Sequence, residues 1–154
     1  MDNLMDFESL VMDYLSAQGL FLAPQFSLRD GGREWSCPDF VALDFRACEI
    51  QVVEVTTAYN VRGLIEKIQK REDQWFLRLR PQLLSLGIPV HNWKSVVRAF
   101  VRRERAEYVK SKILNADDVK IEIIEDIAIP WSWPWDQWKA QSGAEAGAPQ
   151  APRR

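Results

Sequence analysis

The spacing of apolar residues along the chain predicts alternating helices and strands. The first apolar residues recur with the helical period and predict an amphipathic helix over residues 4 to 18, and Gly19 is placed to end it. A strand predicted over residues 21 to 28 contains Pro24, which lacks the N–H that an interior strand donates, so we expect this strand at a sheet edge. The Arg29-Asp30-Gly31-Gly32 sequence then predicts a turn.

Two neighbouring segments rich in β-branched residues predict the centre of the sheet. They cover residues 39 to 45 and 49 to 57 and lie on either side of Arg46-Ala47, the pattern of an antiparallel hairpin. The later elements predicted by periodicity are a long helix from Val61 to Leu79 with Pro81 at its exit, a strand from Ser95 to Arg102, a helix from Glu104 to Ala116 and a strand from Val119 to Glu125. The predicted order is αβββαβαβ, an α/β fold.

The C-terminal part of the chain lacks a periodic pattern. Residues 140 to 154 are rich in Ala, Gly and Pro and are expected to form a disordered tail, so the single predicted domain covers residues 1 to 139. Just before the tail, the Trp131–Trp138 segment interleaves four tryptophans with prolines that forbid a helical stripe. This segment can cover the domain's own core, which we favour, dock on a partner protein or stack on unpaired bases.

The composition is that of one globular domain. Of 154 residues, 47% are apolar and 27% charged, and no apolar run approaches the ~20 residues of a membrane span. The acidic N-terminus lacks the features of a secretory signal, so we expect a cytoplasmic protein that does not enter a membrane. Two cysteines and one histidine do not make a zinc cluster, so any metal must be bound by oxygen.

Charge is segregated along the chain. The net charge is −2, yet the stretch from Arg62 to Lys112 holds 13 Lys or Arg against 5 Asp or Glu. A basic middle and an acidic remainder fit an enzyme with a carboxylate site and a phosphate-binding flank. Solvated helix faces explain the same charges equally well.

Two carboxylates are expected to meet at one end of the central hairpin. Residue numbers that pair in an antiparallel hairpin have a constant sum, and a turn centred between Arg46 and Ala47 makes that sum 93, so Asp39 faces Glu54. Behind them the same face carries the apolar pairs Val41 with Val52, Leu43 with Ile50 and Phe45 with Cys48. Opposed carboxylates beside an apolar layer repel unless a cation such as Mg²⁺ compensates them. The plain alternative is a pair of strand-end acids that face water.

Glu8 is a third candidate acid. On the first helix it lies at the border of the buried face, from which it can reach the same site. A solvated acid near a helix start, where the helix dipole favours negative charge, is the alternative.

These residues resemble a known family. Ser36-Cys37-Pro38-Asp39 followed by Val53-Glu54-Val55-Thr56, after a helix bearing Glu8, is similar to the PD-(D/E)xK nuclease superfamily over residues 4 to 103. The resemblance implies an αβββαβ restriction-endonuclease-like core with a mixed central sheet flanked by helices, here with an added helix and strand. It also implies that Asp39, Glu54 and the Val55 carbonyl bind Mg²⁺ or Mn²⁺, with Glu8 supporting a second ion or a water.

One position departs from that family. Thr56 stands where the superfamily has lysine, and a short neutral side chain cannot replace the charge. Lys67 on the second long helix is the best substitute, and it begins a stripe with Arg71, Gln74 and Arg78 that is a candidate to bind nucleic acid. A solvated lysine on an exposed helix flank is the alternative.

The function expected from this resemblance is Mg²⁺-dependent hydrolysis of DNA phosphodiester bonds. Arg98 and Arg102, which share a strand face, are further candidates to bind phosphates. The competing hypothesis, favoured by Thr56, is a catalytically inactive protein of the same fold that binds nucleic acid or a protein partner through the Trp131–Trp138 segment. A homodimer, in which a second subunit completes the site, also remains open.

Overall fold

A mixed five-stranded β-sheet is the centre of the part of the chain that the computed structural model describes, residues 7 to 128. The strands within this range are β1 (Phe21–Pro24), β2 (Leu28–Asp30), β3 (Arg33–Ser36), β4 (Phe40–Asp44), β5 (Glu49–Val55), β6 (Lys94–Val101) and β7 (Val119–Ile123). The helical segments are α1 (Phe7–Ala17), α2 (Arg62–Gln69), a π-helical segment (Glu72–Phe76), α3 (Leu77–Ser85), α4 (Arg103–Lys112) and α5 (Ile124–Ile127). The sheet order is β1-β4-β5-β6-β7, antiparallel from β1 to β5 and parallel from β5 to β7. The predicted α/β class is confirmed.

Alternate residues of the central strands build a separate core on each face of the sheet. The core on one face joins these strands to α1 and α5 and contains Val11, Leu15, Phe40, Ala42, Val53, Phe100, Ile124 and Ile127. The core on the other face joins them to α2, α3 and α4 and includes Val41, Ile50, Val52, Ile65, Ile68, Leu79, Leu83, Ala106 and Val109. Because side chains alternate along a strand, Asp39 and Glu54 share the side of the second core.

The pairing of the central hairpin is the predicted one. Phe40 lies opposite Val53, and Leu43 opposite Ile50, so paired numbers sum to 93. The strand with Pro24 forms the sheet edge, as expected, where β1 pairs only with β4. The turn between β4 and β5 is closed by Asp44 Oδ1, which accepts hydrogen bonds from the backbone N–H groups of Arg46 and Ala47, each at 3.0 Å.

Two features of the chain differ from the prediction. The segment predicted as a single strand over residues 21 to 28 ends at Pro24, and β2 and β3 form a separate two-stranded hairpin around Gly31-Gly32. The long helix does not end at Pro81 but runs on to Ser85 as α3. Pro81 lies on the exposed side of α3, whereas Leu79 and Leu83 are buried on the other side. Burial of these two leucines favours continuing the helix despite one lost backbone hydrogen bond.

The π-helical segment carries two consecutive buried aromatic residues, Trp75 and Phe76. A π turn inserts one extra residue into the helix and shifts the phase of everything that follows. Side chains that follow the π turn therefore point in different directions from those that an uninterrupted α-helix would give them.

Part of the sequence analysis concerns residues outside the described range. The Trp131–Trp138 segment, the predicted tail over residues 140 to 154 and the first three residues of the predicted N-terminal helix belong to that part. None of the helices formed within residues 7 to 128 is both long and apolar enough to cross a membrane.

A buried arginine ties the sheet together on the α1 side. Arg98 on β6 is 6% exposed and forms two hydrogen bonds of 2.7 Å with the carboxylate of Glu122 on β7. Its guanidinium also donates to the side-chain oxygens of Gln18 and Gln51, at 2.9 and 3.2 Å. The expectation that Arg98 binds nucleic acid is wrong, because its donors are used inside the fold.

Replacing Arg98 is expected to destabilise the protein. Arg98→Ala leaves the Glu122 carboxylate without its cation, and breaking a buried ion pair costs about 3–5 kcal/mol. Urea unfolding followed by circular dichroism measures this loss. The exposed neighbour Arg102→Ala is the matched control and should change the free energy of unfolding by less than about 0.5 kcal/mol. Equal effects of the two substitutions would contradict the structural role of Arg98.

Candidate active site

The end of the β4–β5 hairpin brings two carboxyl groups together. The ladder stops at the Phe40–Val53 pair, one position before Asp39 and Glu54. Asp39 Oδ2 accepts a hydrogen bond of 2.7 Å from the backbone N–H of Val55, which fixes the orientation of this carboxylate. Glu54 is only 9% exposed. The register of the β4–β5 hairpin therefore places the side chains of Asp39 and Glu54 next to each other, as the sequence analysis expects.

The electrostatic environment of Glu54 favours its protonated form. The pKa of Glu54 is raised from 4.5 to about 8, chiefly by burial and also by the charge of the neighbouring Asp39 and a hydrogen bond between the two side chains. Glu8 also raises this pKa, whereas Lys67 lowers it. The other three predicted catalytic side chains, Asp39, Lys67 and Glu8, therefore lie close enough to the Glu54 carboxyl group to shift its pKa, and without a cation its protonated form is favoured.

Gln25 is a site residue that the sequence analysis missed. Its backbone N–H donates to the carbonyl of Asp39 at 2.8 Å, and its side-chain amide lies 3.5 Å from Glu8 Oε2. Its φ of 51° lies in the left-handed region, which is uncommon for residues other than glycine. Gln25 follows directly after β1, so the pairing of Pro24 with Phe40 brings it to the site. No local sequence signal marks it.

Cys37 lies beside the acids. Burial raises the pKa of its thiol, and the charges of Glu34, Asp39 and Glu54 raise it further. Its sulfur is 3.8 Å from the side-chain oxygen of Gln25. The thiol is therefore kept neutral and is not an activated nucleophile.

Lys67 is exposed on α2, on the side of the sheet that Asp39 and Glu54 face. Thr56, by contrast, takes part in the loop that follows β5, because its hydroxyl accepts a hydrogen bond of 3.2 Å from the N–H of Ala58. Position 56, where the superfamily that the sequence resembles has lysine, is thus used for loop geometry, and the positive charge of Lys67 on α2 acts on Glu54.

The predicted stripe along the second helix is divided. Arg71 forms two 2.7 Å hydrogen bonds with Asp118, before β7, and donates to the carbonyls of Ile68 and Asn115. Within the π-helical segment, Gln74 donates to Ser36 Oγ at 3.0 Å. Arg71 and Gln74 thus bond to groups within the fold, so the predicted stripe does not continue from Lys67 as a row of free side chains.

Arg78 is also occupied within the fold. It lies 3.2 Å from Asp30 and 3.6 Å from Asp73, and its guanidinium is 3.7 Å from the centre of the Trp35 ring. Arg71 and Arg78 therefore anchor the α4–β7 connection and the β2–β3 hairpin, respectively.

Arg102 remains exposed at the carboxyl end of β6. Its Nη1 is 3.4 Å from a carboxylate oxygen of Glu104, a weak surface ion pair. Together with Phe7 and Thr57 it lines a cleft of about 480 Å³. The cleft lies beyond the ends of parallel strands β5 and β6, where open α/β sheets commonly bind ligands.

The site's oxygen atoms suit a hard divalent cation. Within residues 7 to 128, no group of three or more His, Cys, Asp or Glu side chains is arranged to hold a metal ion. Mg²⁺ usually binds through one or two carboxylates and keeps several waters. Asp39 and Glu54, with the Val55 carbonyl, match that smaller donor set, and a bound cation would take the place of the proton held between them.

Searches with this chain against protein-family models, curated proteins and solved structures returned no match. The chemistry open to the site follows from the groups that it contains, which are closely spaced acids, a nearby amine and an oriented backbone amide.

The raised pKa of Glu54 predicts how stability changes with pH in the absence of metal. Between the ordinary value of 4.5 and about 8, folded Glu54 keeps a proton that the unfolded chain has lost. The free energy of unfolding should therefore fall as pH rises through this window, by up to about 1.4 kcal/mol per pH unit. Urea unfolding in EDTA across this range measures the slope.

Glu54→Gln should flatten this pH dependence, because the amide resembles the protonated acid. Glu49→Gln, on the same strand but at the other end of the hairpin, is the matched control and should leave the slope unchanged. A wild-type slope equal to that of Glu54→Gln would show that Glu54 ionises normally.

Proposed function

We propose that this chain is a metal-dependent nuclease with a restriction-endonuclease-like fold, related to the PD-(D/E)xK superfamily, that hydrolyses DNA phosphodiester bonds. The observation that carries the proposal is the meeting of Asp39 and Glu54 at the hairpin end, with Asp39 oriented by the Val55 N–H and Lys67 on the facing helix.

The order of elements supports this fold assignment. When the β2–β3 hairpin is treated as an insertion, α1, β1, β4, β5, α2 and β6 follow the order αβββαβ. Within it, Asp39 directly precedes the second strand and Glu54 lies in the third, which are the positions that the superfamily uses for its acids. The register that joins them is therefore consistent with the resemblance seen in the sequence.

The acids and the metal would have distinct roles. Asp39, Glu54 and the Val55 carbonyl would hold Mg²⁺ or Mn²⁺, and Gln25 positions Asp39 and Glu8 relative to each other. When bound, the cation supplies positive charge to the phosphate and favours ionisation of an attacking water. Glu8 would orient that water or support a second ion.

Lys67 would stabilise the negative charge that develops on the phosphate. An amine acts on this charge only if it lies on the same side as the acids, which the position of α2 allows. Its charge already lowers the pKa of Glu54, so its influence extends to the buried carboxyl group. Arg102, at the end of β6, is available for the DNA backbone.

A catalytically inactive binding protein of the same fold is the second candidate function. Thr56 favours it, because the hydroxyl of Thr56 is engaged in the loop after β5 and offers no charge. The closely spaced acids favour the enzyme, since adjacent carboxyl groups repel phosphate and give a binding protein no advantage.

Metal binding should stabilise the folded protein. At a Mg²⁺ or Mn²⁺ concentration tenfold above the dissociation constant, the expected gain is about 1.4 kcal/mol, or a rise in Tm of about 4 °C. Asp39→Asn should remove this response, as measured by differential scanning calorimetry. Asp44→Asn, at the other end of β4, is the matched control and should keep it. The absence of a wild-type response at millimolar metal would contradict the proposed site.

Lys67→Ala should lower DNA cleavage by at least about 100-fold while leaving the metal-induced rise in Tm nearly intact, because the amine acts on the phosphate and does not bind the metal. Single-turnover cleavage of mixed DNA substrates measures this effect. Lys94→Ala, an exposed lysine at the opposite end of the sheet, is the control. Thr56→Lys should restore part of the activity lost in Lys67→Ala.

Undiminished cleavage by Lys67→Ala would exclude this lysine from the reaction. A wild-type protein that binds metal but cuts no DNA would favour the inactive binding protein instead.

A further inference from the structure

Two exposed tyrosines pack on one arginine near the candidate active site. The Arg105 guanidinium carbon lies 4.3 Å from the centre of the Tyr59 ring and 4.4 Å from that of Tyr108. Lys112 Nζ lies 5.5 Å from the Tyr108 ring. We call Tyr59, Arg105, Tyr108 and Lys112 the aromatic-basic platform.

The platform contains aromatic side chains that the fold does not bury. Tyr59 is 65% exposed and Tyr108 is 44% exposed, although large aromatic side chains usually contribute to stability by burial. The Nε of Arg105 is buried and has no hydrogen-bond partner among the described residues. The contacts of Arg105 with both rings hold the platform in place, so the tyrosines are presented to solvent in a fixed arrangement.

One end of the platform, formed by Tyr59 and Arg105, lies at the same edge of the sheet as the acids. Tyr59 belongs to the loop after β5, the strand that carries Glu54, and Arg105 lies in the first turn of α4, directly after β6. These strands are parallel, and the N–H of Thr56 bonds to the carbonyl of Phe100, so their carboxyl ends are adjacent. Helix α4 packs on the side of the sheet that Asp39 and Glu54 face.

The surroundings of the platform favour a ligand that carries phosphates. A cleft of about 450 Å³ is lined by Tyr108 and Lys112 together with Arg62 and Asn60. This volume lies within the range of pockets that take small organic groups such as a nucleotide. Glu66 also lines the cleft but is 3.4 Å from Arg62, which offsets its charge.

We propose that the aromatic-basic platform stacks an unpaired base of the nucleic acid substrate, so that this protein acts on single-stranded DNA or on single-stranded segments next to a duplex. The proposal rests on the nuclease function and specifies its substrate class. Every base has an aromatic face that can stack on an exposed tyrosine, whereas the bases inside a duplex are already stacked on their neighbours. Arg105 and Lys112 would neutralise the adjacent phosphates.

Fluorescence anisotropy in EDTA tests the platform without cleavage. The probes are a fluorescein-labelled oligothymidine of about 15 nucleotides and a labelled duplex of the same length, both at one fixed salt concentration. The wild type should bind the single strand about tenfold more tightly than the duplex, and Tyr59→Leu should lose about tenfold in affinity for the single strand. Tyr59→Phe keeps the ring and should bind like the wild type.

Phe21→Leu, an equally exposed aromatic at the far end of β1, is the matched control and should leave both affinities unchanged. The proposal is overturned if Tyr59→Leu binds the single strand like the wild type, if the duplex binds as tightly as the single strand, or if neither probe binds. Thermal unfolding of each variant checks that the fold is retained, and Tyr108→Leu provides a second test of the platform if Tyr59→Leu is unstable.

Experiments can distinguish an error in the platform proposal from an error in the proposed nuclease function. Metal-dependent duplex cleavage that is unaffected by Tyr59→Leu would overturn the platform and leave the nuclease function standing. Binding of the single strand that depends on Tyr59, in a protein whose Tm does not respond to metal, would support the platform and overturn the nuclease function.

Discussion

The pairing register of the β4–β5 hairpin determines which chemistry the site can perform. Asp39 and Glu54 lie one step beyond the last ladder pair, and a slip of a single residue would send one of them to the opposite face of the sheet. The apolar side chains behind them belong to the core beneath α2 and α3. Burial of that core therefore stabilises the same register that forces two acids together.

The proximity of these acids carries an electrostatic cost, which hydrogen bonding and protonation offset. Asp39 accepts a hydrogen bond from the Val55 backbone, while burial and the neighbouring acid keep a proton on Glu54, whose pKa is raised to about 8. Gln25, with its left-handed backbone, links Asp39 to Glu8. A cation that displaced the proton would find its oxygen ligands already oriented, which lowers the cost of binding it.

The basic middle of the chain divides into structural and available charges. Arg71, Arg78 and Arg98 are committed to carboxylates elsewhere in the fold. Lys67 and Arg102 remain exposed near the ends of β5 and β6. The number of basic residues in the sequence therefore overstates the positive charge that the fold leaves available to a ligand.

The sequence by itself determined the central hairpin, its register and the positions of Asp39 and Glu54, because strand alternation and the turn are properties of contiguous residues. Only the tertiary structure decided the partners of the arginines: Arg98 meets a carboxylate 24 residues away, and Arg71 one 47 residues away. Gln25 likewise enters the site only because β1 pairs with β4, and no local pattern predicts the π turn at Trp75 and Phe76. Local patterns encode periodicity, whereas such long-range pairings arise from the packing of elements whose separation in the chain leaves no local signal.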